Sequence, residues 1–292
     1  MKRKVIIVLL GFFALLSANA KEFYPMSQQP DHLLFHVTPA FSLLDYRSSD
    51  GRSIPTPTVG LGVEYAHYFF RFIGVSIGAE VNSYNSLYFF LGRKDSLPLF
   101  DSWSSRNYLL RQQLHTKEYQ SVSYLSVPVK VILRQAISPT INLNLSAGFA
   151  YNAYLTESKN IVAGNIYRQA FFGDINVNID EFYPLNFGKF NDYLNPSPQR
   201  QFTTTLTGIA QLGFSFHFNQ RWVMHTNFNF QYGLNNIKTR NINLLAPNEY
   251  AGITATNYIG NIKPYSLGFR IGVSYNFDLF DVDCHCTGKW WK

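Results

Sequence analysis

Residues Leu267 to Phe277 read Leu-Gly-Phe-Arg-Ile-Gly-Val-Ser-Tyr-Asn-Phe, and they alternate without interruption between large apolar and small or polar side chains. Successive side chains of a strand point to opposite faces. One face therefore carries Leu267, Phe269, Ile271, Val273, Tyr275 and Phe277, and the other carries Gly268, Arg270, Gly272, Ser274 and Asn276. A soluble sandwich strand seldom has so uniformly large and apolar an outer face. The pattern predicts a membrane strand with lipid outside and a polar lumen inside.

The N-terminus has the composition of a secretory signal peptide. Three basic residues, Lys2 to Lys4, precede an apolar run from Val5 to Leu16, and Ala18 to Ala20 supply the small residues of a cleavage site. We therefore predict a signal peptide over residues 1–20. A retained membrane helix is the alternative, but the apolar run is shorter than the ~20 residues that a membrane span needs.

The remainder of the chain has the composition of a protein built from half-buried strands. Aromatic residues make up 17% of the sequence and charged residues only 15%. The formal net charge of the full chain is +7, from 25 basic and 18 acidic residues. Removal of the signal peptide takes away three basic residues and lowers this net charge to +4. We therefore expect no nucleic-acid partner. After residue 20 no apolar run reaches 18 residues, so a membrane crossing requires strands closed into a barrel.

Alternation recurs along the chain and predicts eight strands. They lie near residues 33–44, 57–68, 73–88, 119–134, 140–155, 202–217, 221–234 and 264–277. The first strand has the weakest pattern. We predict an all-β fold, a single antiparallel up-and-down transmembrane β-barrel with eight strands, with ten strands as the alternative.

Short and long connections alternate between the predicted strands. The long connections lie near residues 45–56, 89–118, 156–201 and 235–263. Outer-membrane barrels have short periplasmic turns and long extracellular loops. We therefore expect a location in the cell outer membrane with both termini in the periplasm. The predicted boundaries are 21–32 for a periplasmic N-terminal segment, 33–277 for the barrel and 278–292 for a periplasmic C-terminal tail.

Aromatic residues collect near both ends of the predicted strands, where a barrel meets the membrane interfaces. Near the short turns these residues are Tyr65, Tyr68, Phe69, Phe70, Phe72, Phe216, Phe218 and Trp222. Near the opposite ends they are Tyr84, Tyr88, Tyr119, Tyr154 and Tyr232. We expect two interfacial aromatic belts, with the ordinary preference of strands for aromatic residues as the alternative.

Two segments resemble the PorT-like outer-membrane barrels of Bacteroidetes. Tyr124 to Lys130 reads Tyr-Leu-Ser-Val-Pro-Val-Lys and is similar to that family's Tyr-Leu-x-Ile/Val-Pro-Leu-Lys strand, although Ser126 replaces an acidic or amide residue. Phe230 to Ile237 resembles its Tyr-x-x-Gly-Leu-x-Asn-Ile segment. The resemblance implies an integral outer-membrane protein, and one branch of the family serves type IX secretion.

The final strand is also similar to the terminal signal that the outer-membrane assembly machinery reads. The residues that carry this similarity are Arg270, Gly272, Tyr275 and Phe277. Fifteen residues follow Phe277, whereas many barrels end at this point. The resemblance implies that the assembly machinery is a partner of the chain.

Four charged residues share the parity of the predicted lumen. Glu64, Glu80, Lys130 and Arg270 each lie roughly four to seven residues from a short turn, so we expect them at a similar depth. The interior of an eight-stranded barrel is only wide enough to be filled by side chains. Two acids and two bases can pair there, and we predict a structural salt-bridge plug. An ion path, a charge gate or a catalytic acid/base pair are the alternatives.

No set of residues has the spacing of a catalytic site. His217 and His225 have lumen parity, and Asp174, Asp180 and Glu181 lie in a long connection, but no nucleophile, base and orienting acid can be placed together. We expect no catalytic activity and no cofactor, and a lipid or peptide hydrolase is the least favoured alternative.

The C-terminal tail contains Cys284, His285 and Cys286. The spacing is too tight for the usual two-plus-two zinc arrangement, so we predict no metal site. A metal ion, a strained local disulfide and pairing between chains all remain open. Phe280, Trp290 and Trp291 make the tail a candidate surface for a periplasmic partner.

The long connections suggest contacts at the cell surface. Residues 91 to 118 carry five basic and three acidic residues, a small excess that suits lipopolysaccharide phosphates: Arg93, Lys94, Arg106, Arg111, Lys117, Asp95, Asp101 and Glu118. Residues 156–201 contain apolar residues that fit a hairpin above the membrane or a partner surface. We predict an interaction or machine-associated component in contact with outer-membrane lipid. A small-solute channel is the main alternative.

Overall fold

The computed structural model describes residues 30–46, 51–182, 187–191, 202–239 and 260–277. Several predictions fall outside these residues: the signal peptide, most of the N-terminal segment, the tail after Phe277, and Cys284 and Cys286. The described residues contain no helix long and apolar enough to cross a membrane.

The described part of the chain is built from antiparallel strands. They are β1 Asp31–Tyr46, β2 Gly51–Phe70, β3 Ile73–Asp101, β4 Arg106–Ser138, β5 Ile141–Phe172, β6 Val177–Ile179, β7 Gly188–Asn191, β8 Thr205–His217, β9 Trp222–Gly233 and β10 Ile262–Phe277. Each of the eight predicted strands overlaps one of these, including the weakly patterned first strand. The barrel begins at Asp31, two residues before the predicted boundary.

Eight of the described strands close into a ring. Its order is β1, β2, β3, β4, β5, β8, β9 and β10, and β10 pairs with β1 through contacts such as Val37 with Ile271. Every ring strand therefore has two neighbours, which removes the unpaired edges that a bilayer does not tolerate. The strands β6 and β7 lie outside the ring and pair with the far end of β5. The predicted single antiparallel barrel is confirmed.

The ring has an apolar outside and a polar inside. Phe269 and Ile271 on the outer face of β10 are 61% and 47% exposed, whereas Arg270 between them is 1% exposed. Large apolar side chains are exposed all around the wall, among them Phe35, Phe41, Leu61, Ile77, Val129, Phe149, Leu212 and Phe228. A soluble protein rarely exposes so extensive an apolar surface. The chain is a transmembrane β-barrel, with lipid covering this surface.

Three strands continue far beyond one end of the ring. We call this part the blade: residues 91–101 of β3, 106–117 of β4 and 161–172 of β5, together with β6 and β7. It has a core of its own, formed by Leu110, Ala170, Phe172 and Phe187 with Leu99, Tyr108 and Ile179 against them. The prediction of a loop at 89–118 is therefore wrong, because most of this segment forms a hairpin of β3 and β4. The predicted hairpin within 156–201 corresponds to the pairing of β5 with β6 and β7.

Two prolines lie where strand pairing lapses on one side. The pairing of β1 with β10 skips from Val37 to Ala40, which leaves out Pro39. The pairing of β3 with β4 skips from Val129 to Ser126, which leaves out Pro128. Because proline has no backbone N–H to donate, these gaps let both residues stand inside long strands.

Candidate functional site

The four charged residues named from the sequence lie together inside the ring. Each points inward because it shares the parity of the polar face of its strand, and the side chains of all four are only 1 to 3% exposed. They come from four strands: Glu64 from β2, Glu80 from β3, Lys130 from β4 and Arg270 from β10. Strand register brings their charged groups to one depth of the lumen.

The charged groups form a continuous set of ion pairs. Lys130 Nζ donates to Glu64 Oε2 over 2.6 Å, and Arg270 Nη1 donates to the same oxygen over 2.8 Å. Arg270 Nη2 pairs with Glu80 Oε1. Arg270 thus bridges the two carboxylates while Lys130 adds a second cation at Glu64. Two acids and two bases give the set no net charge, which is the condition for burying it at acceptable cost.

Polar side chains from the other strands extend this set across the whole lumen. Lys130 Nζ also donates to Gln211 Oε1 over 3.1 Å, and Gln211 Nε2 donates to Asn229 Oδ1 over 2.8 Å. We call the assembly the polar layer, and its members are His36, Glu64, Glu80, Asn82, Lys130, Ser146, Gln211, Asn229 and Arg270. Every ring strand contributes to it, so the layer spans the lumen at this depth.

Five members of the polar layer were not singled out from the sequence: His36, Asn82, Ser146, Gln211 and Asn229. All five have inward parity on their strands, which is the signal that could have found them. His36 lies on the strand with the weakest alternation, where parity is hardest to assign. Its Nε2 atom lies 3.3 Å from Glu80 Oε1.

Two glycines make room for the imidazole ring of His36. Gly62 and Gly272 are its register partners on the two neighbouring strands. A Cβ atom at Gly62 would lie 2.7 Å from His36 Cε1 and 2.6 Å from Glu80 Cγ, and one at Gly272 would lie 2.8 Å from His36 Cβ. Since real Cβ atoms do not approach other atoms so closely, a larger residue at either position would displace the layer.

The group of His36, Glu64 and Glu80 has the atom types of a metal site, with ligand atoms within 4.8 Å of one another. However, Lys130 and Arg270 already donate to Glu64 Oε2, and Arg270 pairs with Glu80 Oε1. A divalent cation would have to displace these groups and would then face two buried positive charges. The donor set does not fit a metal ion, and the arrangement is suited to cross-linking the strands.

An aromatic core fills the lumen between the polar layer and the blade. Its members are Leu44, Tyr46, Tyr84, Tyr88, Phe90, Val122, Tyr124, Phe202, Ile237 and Ile262. The hydroxyl of Tyr84 donates to Gln231 Oε1 over 2.6 Å, and that of Tyr124 donates to the carbonyl of Thr203 over 3.0 Å. Phe202 and Ile237 come from connections between strands and are fully buried, so chain from outside the ring closes the lumen at this end.

The aromatic core corrects one expectation from the sequence. Tyr84 and Tyr88 were assigned to an interfacial belt, but they are 1% and 0% exposed and lie inside the lumen. Their even positions on β3 give them the same inward parity as Glu80. At the opposite end the expectation holds only in part. Phe69, Phe70 and Phe72 are about 60% exposed on the outside of the barrel, whereas Tyr68 is 9% exposed and is buried.

The residues weighed for catalysis are not brought together. His217 Nε2 contacts Asn142 Nδ2 at 2.7 Å, and His225 Nε2 contacts Ser274 Oγ at 2.8 Å, both inside the ring. The three acids lie near the blade instead: Asp174 pairs with Arg106, Asp180 accepts from Gln169, and Glu181 is exposed.

The contact of His225 with Ser274 was not predicted from the sequence. Among the described residues no carboxylate orients that histidine, so the pair lacks the third member of a triad.

Comparisons with known proteins return barrels. No protein-family model matches the chain, and no curated protein matches it. OprG, an outer membrane protein from Pseudomonas aeruginosa, is 10% identical with a TM-score of 0.40, over 87% of this chain and 99% of that one. Neisserial surface protein A is 8% identical with a TM-score of 0.37, over 85% and 97%. Ail, the attachment invasion locus protein of Yersinia pestis, is 10% identical with a TM-score of 0.33, over 86% and 100%. Likeness at this level carries no argument about function.

Proposed function

We propose that the protein is a closed, non-catalytic barrel of the outer membrane that holds the blade at the cell surface, where the blade binds a partner protein. The interior of the barrel supports a role other than conduction, because the polar layer crosses the lumen at one depth and the aromatic core occupies it at the next. The blade supports the binding role, because it is a folded sheet with its own core rather than a set of loops.

The proposed location combines the predicted signal peptide with the architecture. Asp31 at the start of β1 pairs with Phe277 at the end of β10, so the described chain enters and leaves at the same end of the ring. The short turns at Arg71 and Ser138 lie at that end, and the blade lies at the other. Short turns of outer-membrane barrels face the periplasm. In the orientation we propose, both termini are in the periplasm and the blade is outside the cell.

The tip of the blade is the observation that carries the binding role. Trp103 is 95% exposed and Phe100 is 63% exposed. Asp101 organises the turn between them, because it accepts from the backbone N–H of Trp103 over 3.1 Å and from the Ser104 hydroxyl over 2.6 Å. The same hydrogen bonds, from Ser104 and then from Trp103, hold the pKa of the Asp101 carboxyl below its usual range. A tryptophan presented on an ordered turn is the kind of residue that dominates protein interfaces.

Replacing both Trp103 and Phe100 with Ser should reduce capture of the partner at least about tenfold, the loss typical of central aromatic contacts. The measurement is affinity isolation of the tagged barrel from native membranes, with captured proteins quantified by mass spectrometry. Asn107→Ser, an exposed change on the same hairpin, is the matched control. Equal capture by the double variant and the control would contradict a binding role for the tip.

A small-solute channel is the second candidate, and one observation favours it. On the side of the polar layer that faces the short turns, buried polar atoms such as Asn144 Oδ1 and Asn227 Oδ1 have no protein hydrogen-bond partner among the described residues. Such atoms ordinarily bind water. A wet half-lumen would conduct if the ion pairs of the polar layer opened as a gate.

The process served by the protein is proposed on the resemblance alone. The segments from Tyr124 and from Phe230 resemble PorT-like barrels, and that likeness makes type IX secretion the first process to test. The proposal predicts that the partner captured by the blade or by the C-terminal tail belongs to that machinery. A hydrolase is the least supported reading, because the histidines and the acids lie in different parts of the fold.

A further inference from the structure

Three side chains meet on the outer wall near the base of the blade. Arg52 of β2, Phe89 of β3 and Lys117 of β4 are direct register partners, so they stand side by side on adjacent strands. The guanidinium carbon of Arg52 lies 5.9 Å from the centroid of the Phe89 ring, and Lys117 Nζ lies 4.9 Å from it. Neighbouring strands are about 4.8 Å apart, so the two cations flank the ring on strands about 10 Å apart.

Neither cation is neutralised by the described part of the chain. No described carboxylate lies within ion-pair distance of Arg52 or Lys117, in contrast to Arg106, which pairs with Asp174 at 3.1 Å. The nearest acid on β4, Glu118, has the opposite parity and is fully buried inside the ring. Two exposed or half-exposed cations beside an aromatic ring therefore face outward together.

The height of this group on the wall points to the molecules that surround it. The continuous apolar belt on the outer face of β3 ends at Val81, because the next two outward residues, Ser83 and Asn85, are polar and bond to Ser123 and Ser121 of β4. Leu87 and Phe89 follow beyond this polar stretch. Phe89 lies eight residues beyond Val81, roughly 25 Å along the strand. With the usual strand tilt this is about 20 Å beyond the hydrocarbon. That distance reaches past the lipid headgroups into the sugar layer of the outer leaflet.

We propose that Arg52 and Lys117, held on either side of Phe89, bind a phosphorylated core sugar of lipopolysaccharide. Two donors in a fixed spacing suit a phosphate, which accepts several charge-assisted hydrogen bonds. The hydroxyl and amide groups of Ser83, Asn85, Ser121 and Ser123 line the wall below and offer hydrogen bonds to sugar hydroxyls. The site fixes the base of the blade against the surrounding lipopolysaccharide. This inference rests on the outer-membrane location proposed above.

The test compares binding of purified, folded protein in detergent to lipopolysaccharide, to the same lipopolysaccharide after removal of its phosphates, and to inorganic phosphate. The variant Arg52→Gln with Lys117→Gln is matched by Arg106→Gln with Lys189→Gln, which removes the same charge from the blade. We expect the first variant to bind phosphorylated lipopolysaccharide about tenfold more weakly, and the control to bind like the natural protein. Heat-modifiable migration verifies that both variants are folded.

Three results would overturn the proposal: equal affinity of the two variants, no loss of affinity on removing the phosphates, or displacement of lipopolysaccharide by low concentrations of inorganic phosphate. The last result would identify a simple anion site instead of a sugar-phosphate site. The location is tested separately by thiol labelling of Ser102→Cys, an exposed position of the same turn, on intact cells, with the natural protein, which contains Cys284 and Cys286, as the control. Failure of that labelling would contradict the outer-membrane orientation without changing the affinities measured on purified protein.

Discussion

Lys130→Met is expected to lower the free energy of unfolding by about 3 to 5 kcal/mol, the usual cost of removing one partner of a buried ion pair. The ammonium group is one of two cations on Glu64 Oε2, and its loss leaves the polar layer with a net negative charge. Urea unfolding of the barrel in lipid vesicles measures the change. Lys263→Met is the control, because Lys263 lies on the outer wall over Tyr232, and we expect a change within about 0.5 kcal/mol.

The geometry also predicts which of two double-mutant cycles gives the larger coupling energy. Lys130 contacts Glu64 directly, whereas its link to Glu80 runs through Arg270. Adding Glu64→Gln to Lys130→Met should therefore recover part of the lost stability, because Arg270 and Glu80 remain as a balanced pair. Adding Glu80→Gln also leaves one balanced pair, Arg270 with Glu64, but it should recover less, because Glu80 is not the carboxylate that lost its contact with Lys130. A coupling energy below about 0.5 kcal/mol between Lys130 and Glu64 would show that the charged groups are solvated individually.

Phe277→Ser should leave most of the protein unassembled in cells, whereas deletion of residues 278–292 should have little effect on assembly. The reason is that the similarity to an assembly signal ends at Phe277, whose ring lies beside Tyr65 and Tyr275 on the wall. The folded fraction is read from the migration of unheated detergent samples. Loss of assembly in the tail deletion alone would contradict the assignment of the signal.

Refolding of the purified barrel, in the absence of the assembly machinery, separates the role of these residues as an assembly signal from their role in the folded structure. Arg270 bridges two carboxylates, and a Cβ atom at Gly272 would lie 2.5 Å from the carbonyl oxygen of Phe35. Gly272→Ala should therefore reduce refolding from urea as well as assembly in cells. Phe277→Ser should refold nearly as well as the natural protein. Equal loss for both variants in the purified system would assign Phe277 a packing role only.

The sequence was most informative where alternation is uninterrupted. The run from Leu267 to Phe277 and its counterparts in β2 and β3 determine which residues face the lumen. The sequence alone therefore shows that Glu64 and Glu80 face the lumen. Periodicity also implied a common depth for Lys130 and Arg270, because each lies a few residues from a short turn. These four residues are the part of the polar layer that charge alone makes conspicuous.

The blade could not be derived in the same way because irregular pairing interrupts its alternation. The register of β3 with β4 shifts between Leu91 and Lys94, and that of β4 with β5 shifts between Lys117 and Glu118. Each shift changes which residues face outward, so a period of two is lost at the base of the blade. A further shift in β2 between Pro55 and Leu61 turns Arg52 outward.

The neutral members of the polar layer could not be predicted for a different reason. In the sequence, Gln211 and Asn229 look like any other amide residue with lumen parity, and only the structure shows their hydrogen-bond partners.

A closed lumen is the central claim, and recording from the purified barrel in planar bilayers tests it most directly. Lys130→Met combined with Glu64→Gln serves as the comparison, since it removes one acid and one base, and with them both ion pairs of Glu64, and leaves the aromatic core in place. We expect neither protein to give stable unitary currents, because the aromatic core closes the lumen independently of the charges. Reproducible single-channel steps from the natural protein would contradict the closed lumen and would make the channel the better account.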